Sequence, residues 1–300
     1  TLDLGRFCRL CYGESDGLPG LVVDSYGDVL SVEILTAGME RLKSDIEAAL
    51  QALLSPKGIV YRNDSDFRTL EGLTNLDAVT GTVPETVELE ENGIKYLASP
   101  RSGQKTGFYY DQRENRRFLM PYFEGCKVLD LHCFTGGFAL AAAKAGAEKA
   151  WGVDTSAQAL ELAKAAAEKN GFSNVMFNKM DAEEMLYAAV NGELPENPDF
   201  ILLDPPPLAR SKKHLTHARK LYAKLNMLAL RALPQGGYLA TSSCSHHVSR
   251  ALFEEILREA LRKSGRQAFV LETRGQSKDH PVLAGMPETA YLNFMLLKVI

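Results

Sequence analysis

The stretch that most constrains this chain runs from Lys127 to Asp154. Lys127-Val128-Leu129-Asp130-Leu131 is an apolar run carrying one acid, the pattern of a strand buried in a parallel sheet. Gly136 and Gly137 follow, and then Phe138-Ala139-Leu140-Ala141-Ala142-Ala143-Lys144-Ala145, a segment of strong helix propensity. A second short strand, Ala150-Trp151-Gly152-Val153, ends at Asp154. Strand, tight turn, helix and strand form the unit from which open α/β sheets build a ligand crevice beyond their strand ends. Glycines in the turn let backbone approach a ligand closely, and the helix start offers N–H groups with no partner inside the helix. Asp154 stands where a carboxylate can take both hydroxyls of a ribose, so the stretch predicts a nucleoside-cofactor site. The plainer alternative is a βαβ crossover whose glycines only turn the chain.

The spacing narrows the nucleoside. A dinucleotide site wants G-x-G-x-x-G at the first turn, with backbone around a pyrophosphate. Here there is only Gly136-Gly137, preceded on the strand by Asp130. That acid repels a pyrophosphate and suits a cofactor carrying an ammonium group. The stretch resembles the first motif of class I S-adenosylmethionine-dependent methyltransferases, with Asp154 matching the ribose acid. The resemblance implies S-adenosyl-L-methionine as cofactor, S-adenosyl-L-homocysteine as product, and a Rossmann-like α/β fold.

Composition sets the outer bounds. A chain of 300 residues has core enough for two domains. No apolar run approaches the roughly 20 residues that span a bilayer, and no signal peptide is visible. A cytoplasmic protein with no membrane partner is expected. Thr1 is not a natural start, so an N-terminal part is expected to be missing. Five cysteines, an odd number, argue for a reducing compartment. Cys8 and Cys11 form a C-x-x-C with no second pair of ligands and read as small strand residues, so no metal is expected.

Residues 1–97 read as a small α+β domain, a platform for substrate or for the second domain. Strands are expected over 21–24, 30–35 and 58–62, and a helix over 40–54 with Leu42, Ile46, Ala49, Leu50 and Leu53 on one face. Glu91-Asn92-Gly93 between two short strands signals a hairpin. Residues 98–300 read as the methyltransferase domain. Its first segment, Gly103-Gln104-Lys105-Thr106-Gly107, is suited to lining a pocket, with Lys105 a candidate partner for the cofactor carboxylate; a surface loop is the alternative. Asp111 and Glu114 have capping-box spacing and predict a helix from Gln112. Ser156 caps a long alanine-rich helix that Gly171 stops. Asp181 starts another helix with Glu184 three residues on, and lies beside the adenine in this fold, although a cap alone explains it. Strands over 199–204 and 237–241, helices over 213–232 and 249–263, and two terminal strands complete a mostly parallel seven-stranded sheet with an antiparallel C-terminal strand.

Two strand ends carry candidate chemistry. In Asp204-Pro205-Pro206-Pro207-Leu208 the prolines fix the turn and hold Asp204 at the sheet edge. Base-amine methyltransferases use a similar acid-or-amide, Pro-Pro, aromatic pattern, but Pro207 and Leu208 stand where the stacking aromatic belongs. In Thr241-Ser242-Ser243-Cys244-Ser245-His246-His247 a cysteine at a cleft mouth among basic neighbours can be part thiolate. Thiolate addition to carbon 6 of cytosine makes carbon 5 nucleophilic enough to take a methyl group, and Asp204 is the carboxylate to steady that addition. A buried strand cysteine is the alternative for Cys244. Between Asp204 and Glu254 there is no acid, while Arg210, Lys212, Lys213, Arg219, Lys220, Lys224, Arg231 and Arg250 fall there. That is either a footprint for nucleic-acid phosphates or a face balanced by acids from elsewhere.

Five motifs in order now match a family. G-Q-K-T-G-F-Y-Y-D-Q-R, D-L-H-C-F-T-G-G-F, D-P-P, T-S-S-C-S-H-H and D-H-P-V-L-A-G-M-P-E-T-A-Y-L resemble bacterial and archaeal 23S rRNA (cytosine-5)-methyltransferases. They look like the three-domain type with an N-terminal PUA domain, which this sequence does not contain. The resemblance implies that Gln104, Lys105, Thr106, Asp130, Phe134, Gly136, Asp154, Asp181 and Asp204 bind or border the cofactor. It implies Cys244 as nucleophile, beside which the residues themselves suggest Asp204 as its catalytic partner and the acid-free stretch suggests Arg210, Lys212, Lys213, Arg219 and Lys220 as RNA contacts. The partner implied is 23S rRNA before the subunit is fully assembled, and a homodimer is compatible with it. Two other readings stay open: a base-amine or guanine ring-nitrogen rRNA methyltransferase on the same fold, and a non-catalytic RNA-binding relative.

Overall fold

The computed structural model describes residues 5–103, 106–209 and 211–300, with Lys212 described by its backbone alone. By its contacts the chain divides into two units, Thr1–Arg113 with Ser277–Thr289, and Glu114–Gln276 with Ala290–Ile300. The division falls later than residue 97 because the aromatic run after Gly107 packs into the first unit. Phe108 lies 5.2 Å from the Tyr96 ring, and the Tyr110 hydroxyl donates to the Ser25 carbonyl at 2.8 Å. No local pattern in the sequence marks Ser277–Thr289 as part of that unit. Long-range bonds put it there: Ser277 Oγ donates to the Tyr110 carbonyl at 2.8 Å, and Asp279 accepts from the Arg9 N–H at 3.1 Å.

The first unit has strands β1 (Phe7–Tyr12), β2 (Leu21–Tyr26), β3 (Val29–Ile34), β4 (Gly58–Tyr61) and β5 (Ala78–Gly81), in that order across one sheet. Only β3 and β4 run parallel. A separate hairpin joins β6 (Val87–Glu91) to β7 (Ile94–Ala98), and its Asn92-Gly93 turn takes positive φ at both residues, 54° and 71°. Helices α1 (Ala37–Arg41), α2 (Lys43–Leu54) and α3 (Asp66–Leu70) complete the unit. The helix expected over 40–54 is therefore two helices with a break at Leu42. Thr36 caps α1 through a bond from the Met39 N–H, and α2 restarts on the Leu42 carbonyl. The apolar stripe is narrower than expected. Ile46 and Leu50 pack on the sheet core, whereas Leu42 and Leu53, expected on the same face, are 46% and 80% exposed.

The second unit begins at Glu114, within the first turn of α4 (Arg113–Phe123), and α4 follows a 3-10 turn over Tyr110–Gln112 where a helix start at Gln112 was expected. Its strands are β8 (Lys127–Leu131), β9 (Lys149–Asp154), β10 (Val175–Lys179), β11 (Phe200–Leu203), β12 (Tyr238–Ser243), β13 (Ala268–Arg274) and β14 (Asn293–Val299). Between them lie α5 (Gly137–Lys144), α6 (Ala157–Asn170), α7 (Ala182–Asn191), α8 (Leu215–Ala232) and α9 (Arg250–Ser264). The seven strands lie in the order β10-β9-β8-β11-β12-β14-β13, all parallel except β14, which is antiparallel to both of its neighbours. This is the class I methyltransferase fold. From β8 the chain builds outward to β9 and β10, then returns to β11 on the other side. That reversal between β8 and β11 makes a topological switch point, where open α/β sheets bind ligands at the carboxyl ends of their strands.

Candidate active site

The register across the switch point sets which residues meet. Leu131 pairs with Val153 on one side and with Leu203 on the other, so the residues that follow, His132, Asp154 and Asp204, leave the sheet at one level. Leu203 also pairs with Thr241, which brings Ser242 opposite Asp204, and Cys244 follows at the end of the same strand. The strand ends therefore bring together Asp130, Asp154, Asp204 and Cys244, all in the second unit.

Asp130 is 1% exposed. Its Oδ2 accepts the Ala139 N–H of α5 at 2.8 Å, while Oδ1 is buried with no hydrogen-bond partner. Burial pushes the carboxyl well above the usual carboxylate range, against the Ala139 N–H, and the charges of Asp204 and Asp154 push it further. In the turn that follows, His132, Phe134 and Gly136 all adopt left-handed φ, at 61°, 49° and 81°. For a side-chain-bearing residue that conformation costs about 1–2 kcal/mol. Gly136 is needed twice over, since a Cβ there would also meet the Phe177 ring at 3.0 Å and the Ala163 Cβ at 3.1 Å. Asp154 holds the turn in place: Oδ2 accepts the Phe134 N–H at 2.9 Å and Oδ1 the Ser156 N–H at 2.8 Å. A carboxylate has about four lone-pair sites, so each oxygen keeps one for a ligand hydroxyl. Asp181 is exposed and caps α7, accepting the Glu183 and Glu184 N–H groups at 2.8 and 3.3 Å.

On the other side of the switch point, Ser242 Oγ donates to Asp204 Oδ1. Half-buried Cys244 points its thiol at the Pro205 carbonyl, 3.7 Å away, so the two strand-end loops touch. Tyr222 of α8 fastens them from below. Ser243 Oγ donates to its hydroxyl at 3.0 Å, its hydroxyl and Ser245 Oγ are 3.1 Å apart, and Ser245 Oγ accepts the Ala209 N–H at 3.2 Å. Burial, with the Cys244 charge, pushes the Tyr222 phenol up to about 12, which keeps it a neutral donor. Ser242, Tyr222 and His132 carry no role in the sequence motifs. Ser242 could have been found from the parallel register opposite Asp204. Tyr222 is the hydroxyl-bearing member of the buried stripe Ala218, Tyr222, Leu225 and Ala229 on α8.

Gln104, Lys105 and Arg210 lie outside the described residues, as does the side chain of Lys212. Thr106 belongs to the first unit, where its hydroxyl bonds Asp24, itself held by Arg9 through two contacts of 2.7 Å. The basic stretch divides. Lys213 and Lys220 are exposed, whereas Arg219 reaches Glu255 and Glu259 of α9 at 3.6 and 3.5 Å, and Lys224 pairs with Glu183 at 2.6 Å. Cys8 and Cys11 sit buried in β1, and burial pushes both thiols up to about 11, the state of inert strand residues.

A family model described as a methyltransferase domain matches residues 123–284. The ribosomal RNA large subunit methyltransferase I of Aeromonas salmonicida (strain A449) is 42% identical over 294 residues, covering 97% of this chain and 74% of that protein. The chain belongs to this family. The ribosomal RNA large subunit methyltransferase I of Aeromonas hydrophila is again 42% identical, over 295 residues and the same shares of both chains. Among solved structures, SMU.776, described as a methyltransferase and complexed with SAH, matches 99% of this chain and 76% of its own with a TM-score of 0.85 at 25% identity. As a member of the ribosomal RNA large subunit methyltransferase I family, the chain takes S-adenosyl-L-methionine as its cofactor. The residues fit it: Asp130 has a buried oxygen free to meet a cation, and Asp154 has acceptor capacity left for ribose hydroxyls.

Proposed function

We propose that this chain methylates carbon 5 of a cytosine in large-subunit ribosomal RNA through a covalent bond between Cys244 and the base. Two things support ribosomal RNA as the substrate: the 42% identity to enzymes named for that activity, and exposed Lys213 and Lys220 beyond the Asp204 loop. The observation that carries the carbon-5 reading is the joining of two loops. Cys244 and Asp204 follow neighbouring parallel strands and are tied by the Ser242–Asp204 and Cys244–Pro205 contacts.

When bound, S-adenosyl-L-methionine supplies an electrophilic methyl group on a sulfonium. The chain's own residues have to make the base a nucleophile. The Cys244 thiolate adds to carbon 6, and the electron pair of the 5,6 double bond becomes available at carbon 5. Asp204, oriented by the Ser242 hydroxyl, hydrogen-bonds the ring and steadies the charge that addition creates. After methyl transfer the carbon-5 proton leaves to solvent, the Sγ–C6 bond breaks and the thiolate is regenerated. Tyr222, kept neutral, holds both ends of the loop through Ser243 and Ser245 while the base is bound.

The test is the adduct. With RNA carrying 5-azacytidine at the target, nitrogen at position 5 blocks elimination, so the parent protein should accumulate an RNA-linked species that survives denaturing gels. Cys244→Ala should form none and should lose turnover, with S-adenosyl-L-homocysteine affinity within about twofold of the parent, since the thiol serves the base. If Cys244→Ala methylates ribosomal RNA at the parent rate, the nucleophile assignment fails and transfer to a base amine or ring nitrogen takes its place.

A further inference from the structure

His132 takes no part in the chemistry proposed for the strand ends, yet it is built into the centre of the turn. It follows the last residue of β8 and stands level with Asp154 and Asp204 across the switch point. Its backbone is held at φ 61°, in a turn where the glycine comes only four residues later. Its Nε2 is buried and has no hydrogen-bond partner. Orphaned buried polar atoms and left-handed backbone at side-chain-bearing residues both persist where a ligand completes the site. Burial, the largest influence on the ring, favours the neutral imidazole, against the charges of Asp154 and Asp181. His132 thus leaves the sheet beside Asp154, the acid read as taking the ribose hydroxyls.

We propose that His132 Nε2 hydrogen-bonds the adenosine half of the bound cofactor, next to Asp154, and so completes a nucleoside clamp at the end of β8. The inference rests on the cofactor site described above. A neutral imidazole suits this role because it can donate to a ring nitrogen or accept from a ribose hydroxyl, as its tautomer allows. The residue chosen for the turn is then a compromise. It leaves a polar atom unpaired in the protein by itself and gains its partner when the nucleoside arrives.

The test compares S-adenosyl-L-homocysteine with 5′-methylthioadenosine, which keeps the nucleoside and lacks the amino-acid end. His132→Phe keeps a planar ring at a backbone angle that Phe134 already tolerates two residues on. By calorimetry it should bind both ligands roughly three- to tenfold more weakly, the loss of one hydrogen bond. The ligand-free variant should melt no lower than the parent, because a buried unpaired nitrogen has been removed. Unchanged affinity for both ligands overturns the inference, and so does a loss confined to S-adenosyl-L-homocysteine. Asp154→Ala run alongside separates the failures. If it too binds both ligands like the parent, the cofactor site itself is misassigned; if it weakens both while His132→Phe does not, only the role of His132 falls. Should His132→Phe fold poorly, the imidazole nitrogen resonances of His132 in the unmutated protein serve instead, and their failure to move on adding 5′-methylthioadenosine overturns the inference equally.

Discussion

Asp130 carries a cost within the fold that its proposed role at the cofactor would explain. Its folded-state pKa lies above that of the unfolded chain, so the native protein keeps this proton to higher pH than the unfolded chain does. Whatever stability the group contributes is present below about pH 4, the unfolded value, and is lost as pH rises toward the folded one. Asp130→Asn cannot ionise. It should stabilise the protein relative to the parent more at pH 8 than at pH 4, by a free energy on the order of 1–3 kcal/mol for a buried group left unpaired, and raise the melting temperature accordingly. The same variant should bind S-adenosyl-L-homocysteine roughly tenfold more weakly, having lost a charge-assisted hydrogen bond. Thermal scans at the two pH values check the first outcome, and equal shifts at both would mean that the carboxyl is not under strain. At this scale the sequence was informative about acids and silent about angles. Asp154 and Asp204 announce themselves by ending apolar runs and Asp130 by interrupting one, whereas the left-handed backbone of His132 and Phe134 has no local signature, because Phe does not favour it and a histidine adopts it only occasionally.

Among the elements, β12 depends most on a neighbour. Its terminal loop carries Cys244 and is held by Tyr222 from α8, through Ser243 and Ser245. Tyr222→Phe keeps the ring, 6.1 Å from Phe253, and removes only the hydroxyl that Ser243 and Ser245 share. We expect a loss of about 1–2 kcal/mol in urea unfolding, one or two hydrogen bonds' worth. Turnover should fall about tenfold at saturating RNA, while cofactor affinity stays unchanged; a variant with parent turnover would make Tyr222 a packing residue only. Most strands and helices could be read from periodicity, since β8 and β11 are apolar runs and α6 and α7 carry their own caps and stops. What periodicity hides is interruption. The break at Leu42 needs no Gly or Pro, because Thr36 caps one helix and the next begins on the Leu42 carbonyl just past its end. The 3-10 turn before α4 is equally silent, since Asp111 and Glu114 have the spacing of a cap in either geometry.

For the whole molecule, a net charge of −4 conceals a polarity along the chain. Fold contacts take up part of the acid-free stretch, with Arg219 and Lys224 paired to carboxylates of α9 and α7, and leave Lys213 and Lys220 exposed. If those two meet phosphates, Lys213→Gln with Lys220→Gln should flatten the dependence of log affinity on log salt, by about 0.7 for each phosphate of single-stranded RNA that is no longer neutralised. Arg219→Gln should change that slope little and lower stability instead. Filter binding from low to high salt would distinguish them, and an unaltered slope in the double variant would leave the two lysines as plain surface. The division of the chain was the least legible feature, because Ser277–Thr289 joins the first unit through Asp279 and Ser277, whose partners lie far away in sequence. The strand order has a consequence for how such a protein can change. Since β8 to β10 lie on one side of the switch point and β11 to β12 on the other, residues 127–181 carry the acids proposed to hold the methyl donor and residues 204–244 the groups proposed to act on the acceptor. An exchange of segments between Asn191 and Phe200, ahead of β11, would therefore separate the two sets of groups, and the incoming half would have to restore the β8–β11 pairing and the Glu183–Lys224 ion pair.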